Sequence, residues 1–181
     1  MKFALSPVEP SDMDEIIRLQ FLCFGATDMH VVFFGHCEPA KVEAKKRHLH
    51  DLATDPCNMW LKIVNMDTDK MVSASNWCIS PTRVEKDEPI KVDWLEDPEE
   101  IKSAEEVLED YMGRRKKHMT QPHVLLNILF TDPAYQGQGA GTIYCRWGAD
   151  LADRMMVEMW LEATKYGYRL YKSCGSKMWR R

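Results

Sequence analysis

The feature that most constrains this sequence is an apolar run followed by closely spaced glycines. The run HVLLNILF occupies residues 123–130, and Gly137, Gly139 and Gly141 follow it at alternate positions. Only 9 of the 181 residues are glycine, so this grouping indicates backbone that turns sharply or lies close to another group. Apolar residues then recur at every fourth position, which is typical of a helix: Ile143, Trp147, Leu151 and Met155. The segment predicts a buried strand, a glycine turn and a helix ending near Glu158.

A strand, a glycine turn and a helix start are typical of an anion site. The helix start presents unpaired backbone N–H groups and the positive end of the helix dipole. The P-loop pattern does not fit, because Gly141 is followed by Thr142 and Ile143 instead of Lys and Ser or Thr. The dinucleotide pattern GxGxxG does not fit either, because Thr142 stands at the position of its third glycine. Only about 40 residues remain for the sheet that this pattern requires.

The rest of the chain predicts alternating strands and helices, hence an α/β or α+β fold with a mixed sheet in one domain. Strands are expected at 2–8, 58–66, 70–80 and 159–163, the middle two as a hairpin. Helices are expected from Ser11, as N-cap, to about Gly25, and at 40–52, 98–118 and 165–173. An apolar connector is expected at 30–39 and a loop between Pro81 and Pro98.

Composition excludes several function classes. The chain is 45% hydrophobic and 29% charged with a net charge of −4, which suits a globular protein and argues against nucleic acid. No apolar run reaches the roughly 20 residues of a membrane span, and residues 1–15 lack the apolar core of a secretory signal. Six cysteines without a CxxC pair, and His48 and His50 on different sides of a helix, argue against a metal site. We therefore expect a cytoplasmic, metal-free protein.

The glycine segment carries a family resemblance. Residues 136–141, QGQGAG, have the pattern Q/R-x-x-G-x-G/A and follow Pro133 and Tyr135. Downstream, YCRWGADLADRMMVEMWLEA and YRLYKSCG extend the similarity, so residues 125–175 resemble the GCN5-related N-acetyltransferase (GNAT) superfamily. The resemblance implies a GNAT fold over residues 1–181, with a central, mixed, twisted sheet flanked by helices.

The resemblance also implies a cofactor and a reaction. It implies acetyl-CoA as co-substrate and direct transfer of acetyl to a primary amine of a small molecule, without an acyl-enzyme. The pyrophosphate would lie on the loop backbone at Gln136, Gly137, Gln138, Gly139, Ala140, Gly141 and Thr142, with the three glycines closest. The pantetheine arm would pair with Leu129, Phe130 and Thr131 in a splay opened by a bulge beside this strand.

The catalytic residues are less constrained. Tyr171 holds the position of the tyrosine that often protonates the departing thiolate, with packing as the alternative and Tyr166 and Tyr168 nearby. Glu162 is the candidate base by proximity. The alternatives are a water chain and, at other positions, Asp132, His30 and His36. Cys174 is expected to pack and not to act as a nucleophile.

The end of the sequence departs from the family pattern. Similar enzymes read Gly-Phe after the tyrosine helix and continue into further strands, whereas SKMWRR follows Gly175 here. We expect a shortened C-terminal end, with the sheet edge either exposed or completed by a homodimer partner. The alternative function is therefore a catalytically weak or inactive CoA-binding domain with a regulatory or assembly role.

Acids between Glu85 and Asp110 would attract a cationic amine or would simply form a solvated face. Acceptor identity, acyl length and N- versus O-acylation are not determined by these residues.

Overall fold

The computed structural model describes residues 2–25, 27–35, 38–82 and 92–177. Five strands form one sheet in chain order: β1 (Phe3–Pro7), β2 (Asn58–Asn65), β3 (Lys70–Ser80), β4 (His123–Thr131) and β5 (Glu158–Leu161). Neighbouring strands are antiparallel except β4 and β5, which are parallel. Six helices accompany the sheet: α1 (Met13–Phe24), α2 (Asp28–Phe34), α3 (Glu38–Thr54), α4 (Pro98–His118), α5 (Ala140–Met155) and α6 (Tyr168–Ser173). Across the described ranges, no helix has the length and apolar character needed to span a membrane.

The sheet is covered on both faces. On one face, α5 packs the predicted stripe of Ile143, Trp147, Leu151 and Met155 against a core that includes Trp77, Val124 and Tyr144. On the other face, α1 packs Met13, Ile16 and Leu19 against Trp60, Ala74 and Phe130. A smaller cluster joins α2 to α4 and to the segment before α4: Val32, Phe33, Val92, Trp94, Leu95, Ile101, Ala104 and Leu108. The apolar periodicities of α1 and α5 therefore determine which face of the sheet each helix covers.

Several predicted boundaries are corrected. Ser11 lies inside a short 3-10 turn, Pro10–Asp12, so Asp12 and not Ser11 precedes α1. The predicted connector contains α2, because the Thr27 side chain accepts a hydrogen bond from the His30 backbone N–H and so caps a helix. His36 and residues 83–91 of the predicted loop lie outside the described residues.

The helix predicted to reach Glu158 is shorter. It ends at Met155 because Met156 adopts a left-handed conformation with φ of 56°, and the chain then enters β5 at Glu158. The strands of the predicted hairpin are confirmed, as are the helix at 98–118 and the buried strand β4.

Strand β4 carries a bulge that positions the site. Leu126 pairs with Trp77 of β3 and Ile128 pairs with Asn76, so Asn127 is the extra residue. The extra residue changes which side chains face each core: Leu126 and Leu129 pack on the α5 face, whereas Ile128 and Phe130 pack on the α1 face. Strand β5 pairs with β4 only from His123 to Leu126. In the part of the chain described, β4 therefore has no partner strand on its β5 side beyond the bulge. This is the splay that the resemblance implied.

Candidate functional site

The glycine loop connects β4 to α5 and is held by its glutamine side chains. Gln136 Nε2 donates a hydrogen bond to the Thr131 carbonyl at 3.0 Å, and Gln138 Nε2 donates to the Ala134 carbonyl at 3.1 Å. The backbone N–H groups of residues 139–142 donate no hydrogen bond to any described residue. Four adjacent donors at a helix start, next to the exposed residues 136–139, form an arrangement that suits an anion with several oxygen atoms.

The three glycines do different things. Gly137 and Gly139 have positive φ angles of 72° and 98°, and no atom lies within 4 Å of where a Cβ would be placed. Their lack of a side chain therefore permits the loop conformation and leaves the space above it open. At Gly141 a Cβ would lie 2.6 Å from Leu170 Cδ2, so this glycine allows α6 to pack against α5. Gly141 therefore has a packing role in addition to its predicted role at the ligand, and the ligand role of all three glycines stays a prediction.

Helix α6 places Tyr171 next to this loop. The ring is half-buried and packs on the same core as Ile143 and Tyr144 of α5. Burial, followed by the nearby thiols of Cys145 and Cys174, raises the pKa of Tyr171 to about 12. Its hydroxyl makes no hydrogen bond with the described residues. Tyr166 and Tyr168 are exposed, so among the three tyrosines Tyr171 is the one that packs inward towards α5.

Glu162 lies one residue beyond β5 and forms an ion pair. Arg115 of α4 donates from Nε to Glu162 Oε1 at 2.8 Å and from Nη2 to Oε2 at 2.7 Å. The hydroxyl of Tyr111 also donates to Oε2 at 2.9 Å. Burial is the largest influence on the pKa of Arg115 and lowers it, but the hydrogen bonds and charge interactions with Glu162 and Tyr111 together outweigh burial and raise the pKa. The predicted base is therefore an oriented carboxylate that already accepts three hydrogen bonds.

The same arginine reaches the bulge of β4. Arg115 Nη1 donates to Asn127 Oδ1 at 3.0 Å. Asn127 Nδ2 then donates to Asn76 Oδ1 at 3.0 Å, and Asn76 Nδ2 donates to Asn58 Oδ1 at 2.9 Å. We call Tyr111, Arg115, Asn127 and Glu162 the vertex cluster, because they lie where β4 and β5 separate. Sequence analysis missed Tyr111, Arg115 and Asn127, although the polar Asn127 interrupting the apolar run HVLLNILF was a visible signal.

Comparisons with known proteins agree with this geometry at the level of the fold. No protein-family model matches the sequence, and no curated protein matches it. A transcriptional regulator from Bacillus halodurans C-125 matches with a TM-score of 0.64 and 12% identity, over 99% of this chain and 96% of that one. The aminoglycoside antibiotic 6'-N-acetyltransferase AAC(6')-Ih from Acinetobacter baumannii matches with a TM-score of 0.60 and 13% identity, over 99% and 94%. The chain has the GNAT fold.

A further GNAT-fold structure bears on the cofactor. AAC(6')-Iy in complex with the bisubstrate analog CoA-S-monomethyl-acetylneamine matches with a TM-score of 0.59 and 9% identity, over 100% of this chain and 95% of that one. The predicted fold class, a mixed sheet flanked by helices, is confirmed. Strand β5 is the last strand and an edge of the GNAT sheet within the described residues, so completion of that edge by a homodimer partner stays a prediction.

The alternative base candidates His30 and Asp132 have structural contacts in this fold. His30 is only 4% exposed and lies among Phe21, Phe24 and Phe34. Its Nε2 is 3.5 Å from Gln20 Nε2, and Gln20 Oε1 is 3.1 Å from His48 Nε2. Burial lowers the pKa of His30 to about 4 and that of His48 to about 3, so both rings are neutral at pH 7. Asp132 accepts a hydrogen bond from the Ala134 N–H at 2.9 Å, which is an ordinary turn cap.

The remaining predicted positions are placed as follows. Phe130 is buried, while Leu129 and Thr131 are half-buried at the end of β4, and the Thr131 carbonyl also accepts a hydrogen bond from Cys23 Sγ at 3.3 Å. Cys174 lies beside Cys145, and both line a groove of about 300 Å³ between α5 and α6. Thr142 of α5 and Ser173 of α6 line the same groove. The described residues contain no group of three His, Cys, Asp or Glu placed to hold a metal ion.

Proposed function

We propose that this chain is an acyl-CoA-dependent N-acyltransferase that transfers acetyl from acetyl-CoA to a primary amine of a small molecule. The observation that carries the proposal is the run of N–H groups at residues 139–142 that have no partner among the described residues, beside a β4 edge that pairs with none of the described strands. Pyrophosphate oxygens satisfy such donors, and the amides of an extended pantetheine arm satisfy such an edge. One matching structure is named an aminoglycoside antibiotic 6'-N-acetyltransferase, and another, AAC(6')-Iy, is in complex with a CoA-containing bisubstrate analog.

Each predicted binding residue has a role in this proposal. Gln136 and Gln138 hold the loop, Gly137 and Gly139 keep it open, and the backbone of residues 139–142 binds the pyrophosphate. Leu129, Phe130 and Thr131 supply the backbone edge for the pantetheine arm. Gly141 additionally fixes the position of α6 and hence of Tyr171.

The chemistry follows from the two proposed proton-carrying groups. A neutral amine forms a C–N bond at the thioester carbon as the C–S bond breaks. Tyr171, which its surroundings keep protonated at neutral pH, gives its hydroxyl proton to the departing thiolate. Glu162 accepts the amine proton, directly or through water, while Arg115 keeps the carboxylate in a single orientation.

A second function is favoured by one observation. Both oxygens of Glu162 already accept hydrogen bonds from Arg115 or Tyr111, so an incoming amine or water has to compete with these donors for the carboxylate. This supports the alternative of a CoA-binding GNAT-like domain with weak or no catalysis and a regulatory or assembly role. The matching structure from Bacillus halodurans C-125, which is named a transcriptional regulator, agrees with that alternative.

One experiment separates these functions. Calorimetry with acetyl-CoA is expected to give a micromolar Kd, and a thiol-release assay is expected to respond to some member of a panel of amines, polyamines, amino acids and peptides. Binding without thiol release from any acceptor would favour the regulatory domain. Folded protein that fails to bind acetyl-CoA would overturn both proposals.

A further inference from the structure

We propose that Arg115 is a positioning residue that holds β4 and β5 in their separated arrangement at the vertex of the splay. The inference rests on the proposed function for its catalytic consequence, but its structural basis is independent of any activity. It assigns to α4, which lies in the connection between β3 and β4, a direct part in shaping the site.

The strand register locates the arginine at a specific point. Strands β4 and β5 pair in parallel up to Leu126 and Leu161. Continuing the register by one residue would bring Asn127 opposite Glu162, but the pairing stops there. The side chain of Arg115 instead bonds to both residues, at 3.0 Å to Asn127 and at 2.7 and 2.8 Å to Glu162. A single guanidinium thus joins the two strands just where their ladder ends.

Arginine is well suited to this position. Its planar fork donates Nε and Nη2 to the two oxygens of Glu162 and leaves Nη1 for Asn127, whereas lysine has only one nitrogen to share. The Arg115 side chain is 15% exposed and that of Glu162 is 38% exposed, so the arginine is the more shielded partner of the pair. The guanidinium also lies 4.5 Å from the centroid of the Tyr111 ring, which further restricts its motion.

The helix that carries Arg115 is itself anchored. Phe33 of α2 packs edge-on against Tyr111 with ring centroids 5.1 Å apart. Trp94, shortly before α4, donates from Nε1 to the Val32 carbonyl at 3.1 Å, and Arg47 of α3 lies 4.1 Å from the Trp94 ring centroid. Contacts with α2, and through Trp94 with α3, therefore hold the region of α4 that carries Arg115. The hydrogen bond from Asn127 to Asn76 connects the vertex cluster to β3.

This placement predicts which step depends on Arg115. In the proposed function the reacting thioester lies along the β4 edge near the bulge, whereas the pyrophosphate lies on residues 139–142. Loss of the arginine should therefore misplace the reacting atoms while leaving the main binding energy of CoA in place. Because misplacement by about 1 Å can cost about 100-fold in rate, a large kcat effect with a small affinity effect is expected.

The test compares Arg115→Met with Arg114→Met. Arg114 is the neighbouring residue on α4, is 56% exposed and pairs with Asp110 away from the vertex cluster. For Arg115→Met we expect kcat to fall about 30-fold and the Kd of CoA to change less than about threefold. We also expect faster amide hydrogen exchange at 127–131 and 158–162 without any ligand. Arg114→Met should match the wild type in all three measurements.

A conservative variant distinguishes position from charge. Arg115→Lys keeps the charge but not the planar fork of donors. Compared with Arg115→Met, it should therefore restore less than about a third of the decrease in log kcat. If Arg115→Met folds poorly, Arg115→Lys is measured by the same kcat, Kd and hydrogen-exchange comparison. Wild-type kcat and exchange in the Arg115 variants would overturn the inference. A wild-type protein that releases no thiol would instead count against the proposed function, while hydrogen exchange still decides the role of Arg115.

Discussion

The glycine loop and the vertex cluster lie at the two ends of the unpaired edge of β4, and they are built in opposite ways. The loop follows Thr131, is exposed, and offers backbone donors at consecutive residues. The vertex cluster surrounds Asn127 and uses side chains from α4, β4 and the end of β5. If the proposed function holds, the difference predicts that affinity for the cofactor and geometry of the reaction depend on separate parts of the chain, so that each can be altered alone.

The largest expected effect concerns the acid on α6. Tyr171→Phe removes the proposed proton donor without removing the ring, so kcat should fall about 100-fold while the Kd of acetyl-CoA changes less than about twofold. Steady-state kinetics and calorimetry measure the two quantities. Tyr166→Phe is the matched control, because that ring is 81% exposed and should leave both unchanged. Unaltered turnover in Tyr171→Phe would show that another group protonates the thiolate.

The second effect concerns the two buried histidines near α1, His30 and His48, which lie outside both the glycine loop and the vertex cluster. Because the folded pKa values of about 4 for His30 and about 3 for His48 lie below the unfolded value of about 6.5, the unfolded chain binds more protons as the pH falls. Stability is therefore fully present above pH 6.5 and declines below it. Between pH 7.5 and 5.5 the free energy of unfolding should fall by about 3 kcal/mol from these two groups.

Urea denaturation at the two pH values measures this decline. His48→Gln should roughly halve it, since one of the two titrating rings is removed. His50→Gln is the control on the same helix, because His50 is exposed and points away from the core. A pH dependence that His48→Gln leaves at its full size would contradict the assignment.

The smallest effect separates two glycines of the loop. Gly139→Ala places a side chain at a φ of 98°, which costs about 1–2 kcal/mol, so affinity for CoA should fall about tenfold. Gly141→Ala meets only the end of the Leu170 side chain, so it should cost about 1 kcal/mol of stability and less than a twofold change in affinity. Calorimetry and thermal unfolding of both variants make the comparison. Equal losses of affinity would show that Gly141 also faces the ligand.

The sequence predicted most of the β4–loop–α5 segment because its signals are consecutive. An apolar run, special backbone positions and a four-residue periodicity each act over a few neighbouring residues, and the structure contains each element. The errors lie where local signals are weak. The seven-residue α2 was interpreted as a connector, since a short helix depends on its Thr27 cap and its packing more than on periodicity.

The sequence by itself determined the fold class, and it led to the predictions of an anion site at residues 136–142 and of Tyr171 and Glu162 as catalytic residues. Only the tertiary structure decided that Arg115 and Tyr111 bind Glu162, that Asn127 is the bulge residue, and that Gly141 serves packing against Leu170. The physical reason is the separation along the sequence of the residues that interact. A backbone turn and a helix start follow from neighbouring residues, whereas an ion pair across 47 positions forms only after α4, β4 and β5 have packed together.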